Sequence, residues 1–313
     1  MINTTQITRP KNHNFNYRDA LAASEKIGWR VEDIIGGDKR LDFTKPFMPE
    51  SLARVEDLPF LTPDERRALN QIRGNAYLCM FGVIEEFILP FVLDHARPQL
   101  RGDDYRVRAY LQFASEEAKH MHLFRRFREE FARGFGSDCA VIGPPEEIAG
   151  AVLSHHPLAV ALIILHGEWM TQLHYLGSIK DDRQLDPQFK SLLKHHWMEE
   201  AQHAKLDTLM IEALAGSMSR SEIEGAVDEY LEIAKFIDGG LAEQVRLDLE
   251  SLTRKTGRDL SASERESYVE VQLGANRWTY LGSGMTHPNF LASLEALSPA
   301  ARGRIERLSP AFC

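Results

Sequence analysis

Apolar positions along this chain recur at the three- and four-residue spacing of helices, and no alternating β-branched run bounded by turn pairs breaks the pattern. Thr62-Pro63-Asp64-Glu65 is a capping box with proline at the first helical position, and it predicts a helix running to about Ala96. A second helix is predicted from about Asp104 to Arg133, closed by Gly134 and Gly136. Pro144-Pro145-Glu146-Glu147 starts a third, which Pro157 must kink or break before Leu158–Leu176 continues to Gly177. Asp186-Pro187 caps a fourth, ending near Gly216. Ser219…Glu222 and Ser261…Glu264 repeat the capping pattern for two more helices, near 220–251 and 262–281. The expected fold is all-α in a single domain over 1–313. It comprises an N-terminal arm over 1–61, a four-helix bundle over 62–216 and a C-terminal helical extension over 217–313.

Ala76 to Leu93 is apolar except for Gly82, Pro90 and the pair Glu85 and Glu86, a borderline length for a membrane span. Two carboxylates at its midpoint would be expensive in hydrocarbon. The same facts fit a helix buried on all sides of a bundle, its glutamates meeting a cation. No second run of that length exists, so the buried helix is the reading adopted, without a membrane.

Composition narrows the partners. The chain has 313 residues, 37 Lys and Arg against 46 Asp and Glu, and a net charge of −9. That balance argues against nucleic acid, which requires a basic face. The three cysteines, Cys79, Cys139 and Cys313, are far apart and in no metal-binding spacing. Met1 to Asn16 is polar with no apolar signal-like core. The expectation is a soluble protein of a reducing, cytoplasmic compartment.

The chemistry lies in two pentapeptides, Glu116-Glu117-Ala118-Lys119-His120 and Glu199-Glu200-Ala201-Gln202-His203. A lone Glu-x-x-His arises roughly once by chance in such a composition. Two copies with the same flanks, on the second and fourth predicted helices, do not. Three residues along a helix leave side chains about 60° apart and about 4.5 Å along the axis, so a carboxylate and an imidazole address one metal. Each of the other two helices should add an inward glutamate. The first offers Glu85 or Glu86, and Glu86 is preferred because it stands one turn after Gly82, whose missing side chain leaves room. The third offers Glu168. Four glutamates and two histidines are the set expected of a carboxylate-bridged di-iron or di-manganese centre in a ferritin-like bundle. A solvated helix face explains either motif alone, but not glutamates on four successive helices, two of them amid apolar neighbours.

Glu116 and Glu199, each preceding a ligand, are placed to accept the second ring N–H of a ligating histidine, with Asp207 a rival. His196 lies on one stripe with Glu200 and His203 and would add a third nitrogen. His195 is one position off that stripe, and His122, His166 and His174 have no assigned role.

Together, Glu86, Glu117-x-x-His120, Glu168 and His196-x-x-x-Glu200-x-x-His203 resemble the ligand pattern of the p-aminobenzoate N-oxygenase family of di-iron oxygenases. The resemblance covers roughly residues 70 to 210, and His196 is what points to this family among ferritin-like oxidases. The interval between Glu117 and Glu168 is shorter than in the family and contains Pro157. The resemblance implies a ferritin-like fold, four glutamate and three histidine ligands, and a monooxygenase using dioxygen to oxidise aryl amines. The implied cofactor is two iron ions, with manganese or a mixed Mn/Fe pair as alternatives. No Gly-x-Gly-x-x-Gly or cysteine cluster is present, so electrons are expected from an external donor of the reductase or ferredoxin type. The competing functions are a desaturase or oxidase of a carrier-bound or lipid substrate, an iron storage or ferroxidase protein, and a metal-free helical interaction protein. The C-terminal third, with Trp278 and Tyr280, either covers the bundle and shapes the substrate entrance or forms a homodimer contact.

Overall fold

A computed structural model describes residues 13–313; residues 1–12 of the polar N-terminal stretch lie outside the described residues. The arm contains α1 (Tyr17–Ser24), α2 (Val31–Ile34) and α3 (Glu50–Ala53). The bundle follows as α4 (Pro63–Ala96), α5 (Asp104–Phe135), α6 (Pro145–Leu153), α7 (Pro157–His174) and α8 (Pro187–Ala215). The extension comprises α9 (Arg220–Thr256), α10 (Ala262–Arg277), α11 (Ser283–Met285), α12 (Pro288–Leu297) and α13 (Pro299–Leu308). Among the described residues there is no strand, only an isolated bridge between Gly36 and Lys39.

Local chemistry sets most of these boundaries. Thr62 accepts from the Glu65 backbone N–H while the Glu65 carboxylate accepts from that of Thr62, satisfying two donors at the start of α4. Pro157 opens α7 instead of kinking a longer helix. Two expected stops differ. Gly134 lies inside α5, which ends at Gly136 with φ +73°. A Cβ on Gly134 would collide with the Phe43 ring, so this glycine serves the crossing arm. Nor does Gly177 end the third long helix: a π turn over Tyr175–Ile179, closed by Lys180 N–H donating to the Tyr175 carbonyl at 2.8 Å, carries it further.

Within the bundle α4 packs along α5 and α7 along α8, while α9 covers α4 and α7. The apolar window of α4 is long enough to cross a membrane, yet 67% of it is buried inside the protein. It is core. Burying residues such as Leu69, Phe81 and Val92 contributes about 1.5–3 kcal/mol each.

The extension is fastened to α7 by two neutral histidines. Burial pushes His166 down to about 4 and His174 down to about 3. His166 Nδ1 meets the Tyr230 hydroxyl at 2.8 Å and Nε2 the Tyr280 carbonyl at 3.1 Å. His174 Nε2 meets the Ser283 hydroxyl at 3.0 Å. Thus Tyr280 and its neighbours cover the bundle, while His122 is exposed.

Asp248 on α9 is buried, and its Oδ1 accepts from Gln244 Nε2 at 2.7 Å. Burial pushes its carboxyl up to about 7, against the opposing pull of Arg73. A raised carboxyl favours the fold while protonated, so this contribution is present below the unfolded value near 3.8 and is lost as pH rises through about 7. Asp248→Asn is therefore expected to stabilise the protein by about 2–4 kcal/mol at pH 8 and by roughly 40% of that at pH 5. Thermal melts of both chains at the two pH values check it.

Candidate metal centre

Four helices bring seven of the candidate side chains to one buried place. Two sets of donor atoms form there, each within 4.8 Å: Glu85, His120, His196 and Glu200, and Glu117, His120, Glu200 and His203. Glu200 and His120 belong to both. In the first set His196 Nε2 stands 2.8 Å from Glu200 Oε1 and 3.2 Å from Glu85 Oε1, and His120 Nδ1 is 3.1 Å from Glu200 Oε1. In the second, His203 Nδ1 is 2.9 Å from Glu117 Oε1 and 3.3 Å from Glu200 Oε2. Glu168 stands outside the two sets but lines the same narrow cleft as Glu85, Glu117, His196 and Glu200.

The sequence pattern favours Glu86 on the first helix, and the structure corrects this to Glu85. Glu85 is 2% exposed and joins the cluster, whereas Glu86 is half-buried in a separate groove between α4 and α5. One residue is a 100° rotation, and the inward direction is marked by Phe81, one turn before Glu85, whose ring packs on His196 at 5.3 Å. Gly82 opens onto the groove, not onto the centre.

The carboxylates preceding the ligands act across the bundle. His120 Nε2 donates to Glu199 Oε2 at 2.8 Å, and His203 Nε2 donates to Glu116 Oε2 at 2.9 Å. The α5 histidine is thus oriented from α8 and the α8 histidine from α5, leaving both Nδ1 atoms facing the cluster. Asp207 holds neither ring. It is buried, and neither of its oxygens has a hydrogen-bond partner among the described residues. Its carboxyl is held well above the usual range by burial, against the pull of His203 and with smaller contributions from Glu117 and Glu200.

Supporting residues without a recognisable motif come from the arm and the α5 surface. Ser24 and Gln112 donate to Glu116, and Lys119 donates to Glu199. Trp29 lies parallel to the His120 ring at 6.1 Å, with the Lys119 ammonium 4.0 Å above the indole. Lys119 sits inside the first pentapeptide, so its identity is visible in the sequence; its partner is not. Replacing Glu199 by Gln removes a buried charge that holds both His120 and Lys119. A 10–100-fold loss of metal affinity is expected, measurable by competition with a chelator of known strength.

Charge in the cluster is unevenly distributed. Burial alone would push His120 and His203 down, but Glu199, Glu200 and Glu85 around the first and Glu200, Glu116 and Glu117 around the second hold them well above the ordinary value. Burial followed by Glu85 and Glu200 pushes Glu117 up to about 7. Glu168 is raised by burial and by Glu200. Burial opposes ionisation of Glu200 too, yet His196 and His203 keep it well below the carboxylate range.

A cation fits this donor set. Glu85 Oε2, both oxygens of Glu117, Glu168 Oε2, Glu200 Oε1 and His120 Nδ1 are all buried without a hydrogen-bond partner. Several lie within 2.8–3.1 Å of a nitrogen or oxygen of opposite character, but not along an N–H axis. Such orphaned atoms cost about 1–3 kcal/mol each, more when charged, unless something meets them. Hard carboxylate oxygens mixed with imidazole suit iron or manganese.

No family model matches the chain, and no curated protein matches it in sequence. Among solved structures, a variant of R2-like ligand-binding oxidase with an Fe/Fe cofactor is 16% identical, with a TM-score of 0.47 over 86% of this chain and 94% of that one. The same oxidase with a Mn/Fe cofactor gives 15% identity and 0.45 over 86% and 93%. At these values the chemistry is carried by the donor set of this chain alone.

Proposed function

We propose that this chain is a non-haem, dioxygen-dependent oxidoreductase with two iron ions, or manganese or a mixed pair, held by Glu85, Glu117, His120, Glu168, His196, Glu200 and His203. One observation carries the reading: buried carboxylate and imidazole atoms converge on each other, and six of them have no hydrogen-bond partner among the described residues. Four carboxylates supply −4 against +4 for two divalent cations, which makes a neutral centre in a low-dielectric core. When bound, the ferrous pair supplies the electrons and open coordination positions that reduction of dioxygen requires.

The chain's own residues do the rest. Phe81, Ile84, Ile88 and Ile164 wall a cleft of about 10 Å³ at the cluster, room for about one water-sized molecule. Bulk water is thereby excluded, which strengthens every charge interaction inside. Glu116 and Glu199 fix the rings of His203 and His120. Glu168 stands beside Glu200 within the cleft, placed to hold the cation from α7.

The substrate proposed is a small organic amine, oxidised at nitrogen, with electrons from an external donor of the reductase or ferredoxin type in a cytoplasmic setting. The third histidine, His196, supports N-oxygenation over a six-ligand desaturase. The test is anaerobic loading with ferrous iron, metal counting by mass spectrometry, then exposure to ¹⁸O₂ with a panel of aryl amines. About two irons per chain and an ¹⁸O-labelled hydroxylamine are expected. His196→Ala is expected to suppress the product at least tenfold. No stoichiometric metal would overturn the reading, and two irons with an unaffected His196→Ala would favour the desaturase class.

A further inference from the structure

Apart from the cleft, a groove of about 360 Å³ runs between α4 and α5. That volume is at the lower end of the 300–1,000 Å³ typical of small-molecule sites. Its floor is apolar, formed by the buried side chains of Leu78, Cys79, Val83 and Phe124. Gly82 keeps one wall open, since nothing lies within 4 Å of where its Cβ would be.

Charge in this groove is unmatched. Arg125 and Arg128 line it, and among the described residues neither has an ion pair or hydrogen bond. Arg128 Nε is in addition buried without a partner. Of the two acids present, Glu129 is engaged by Arg126 at 3.6 Å and Arg133 at 3.7 Å, leaving Glu86 alone against two guanidinium groups. Guanidinium groups present paired N–H donors whose geometry matches a carboxylate. The inner end of the groove is separated from the proposed centre by a single ring: Phe124 lines the floor and packs edge-on against His196 at 5.1 Å.

We propose that this groove is a separate ligand site for a small monocarboxylate with a short aliphatic tail, its anionic end held by Arg125 and Arg128 and its tail on the apolar floor against Phe124. The ligand is distinct from the molecule oxidised, because the groove and the metal cleft share no lining residue. Glu86 is a wall residue that disfavours dianions.

The test is calorimetric titration of the full chain with hexanoate and, separately, with its neutral counterpart hexanamide. A chelator is present, so that a carboxylate bound to iron cannot be mistaken for one bound to arginine. Hexanoate is expected to bind at least tenfold more tightly than hexanamide. That preference should vanish in Arg125→Gln/Arg128→Gln, with the circular-dichroism melt unchanged. The exposed Arg125→Gln single variant, expected to lose part of the preference, serves if the double variant does not fold. Equal binding of the two ligands, no binding of hexanoate, or a preference that survives the substitutions would overturn the proposal. Because no metal takes part, iron loading and oxygen chemistry can succeed or fail independently of it.

Discussion

Glu200→Ala is expected to leave the chain without stoichiometric metal after anaerobic loading, whereas Glu86→Ala is expected to retain about two irons. The reason is position. Glu200 belongs to both donor sets, facing His196 and His120 with one oxygen and His203 with the other. Removing it takes one donor from each set and leaves three buried imidazoles without a shared counter-charge. Loss of activity by at least 10³-fold should accompany the loss of metal, since no neighbouring group can replace a carboxylate common to both. The helical circular-dichroism signal should persist, because the bundle core of Leu69, Phe113, Leu162 and Leu192 is untouched. Glu85→Ala is expected to fall between the two, impairing mainly the set that contains His196. If Glu86→Ala were to empty the centre and Glu85→Ala not, the orientation of α4 described above would be wrong.

Gly284→Ala is expected to destabilise the protein by about 3 kcal/mol, lowering the melting temperature by roughly 5–10 °C. A Cβ at this position would collide with the His166 ring at Cδ2 and Nε2 and lie 2.8 Å from the His166 carbonyl oxygen. His166 cannot yield cheaply, since both ring nitrogens are engaged, with Tyr230 and with the Tyr280 carbonyl. The backbone of α11 would have to retreat from α7 and carry Ser283 away from His174. A control is Gly225→Ala on α9, where nothing lies within 4 Å and the gain in helix propensity should stabilise by up to about 1 kcal/mol. Melts of the two variants beside the parent chain decide the matter. A Gly284→Ala shift no larger than that of Gly225→Ala would show the α7–α11 contact to be loose.

Both predictions concern places where reading the chain in one dimension reaches only part of the answer. The pentapeptides are legible because a helix repeats every 3.6 residues, so Glu117 with His120 and Glu200 with His203 are neighbours whatever surrounds them. Helix starts are legible for the same reason: Thr62 with Glu65, and Ser219 with Glu222, satisfy their own backbone donors within one turn. The glycines mislead. Gly134 and Gly177 read as stops, but one accommodates Phe43 from the arm and the other lies within a π turn. Gly82, read as space for a metal, opens instead onto the groove.

The choice between Glu85 and Glu86 shows where local rules end. Both lie in the same apolar run, and their difference is a rotation about the α4 axis fixed by which helices flank it. The orienting bonds His120–Glu199 and His203–Glu116 join residues 79 and 87 positions apart, and Ser24 reaches Glu116 across 92. What the amino-acid sequence alone determined is everything that one helical turn can enforce: the caps, the all-α class, and the carboxylate–imidazole pairs. Which glutamate faces the interior, which histidine each neighbouring acid holds, and that the arm supports the centre were decided only in the tertiary structure. Those choices follow from side chains meeting across the bundle, where sequence separation carries no information about distance.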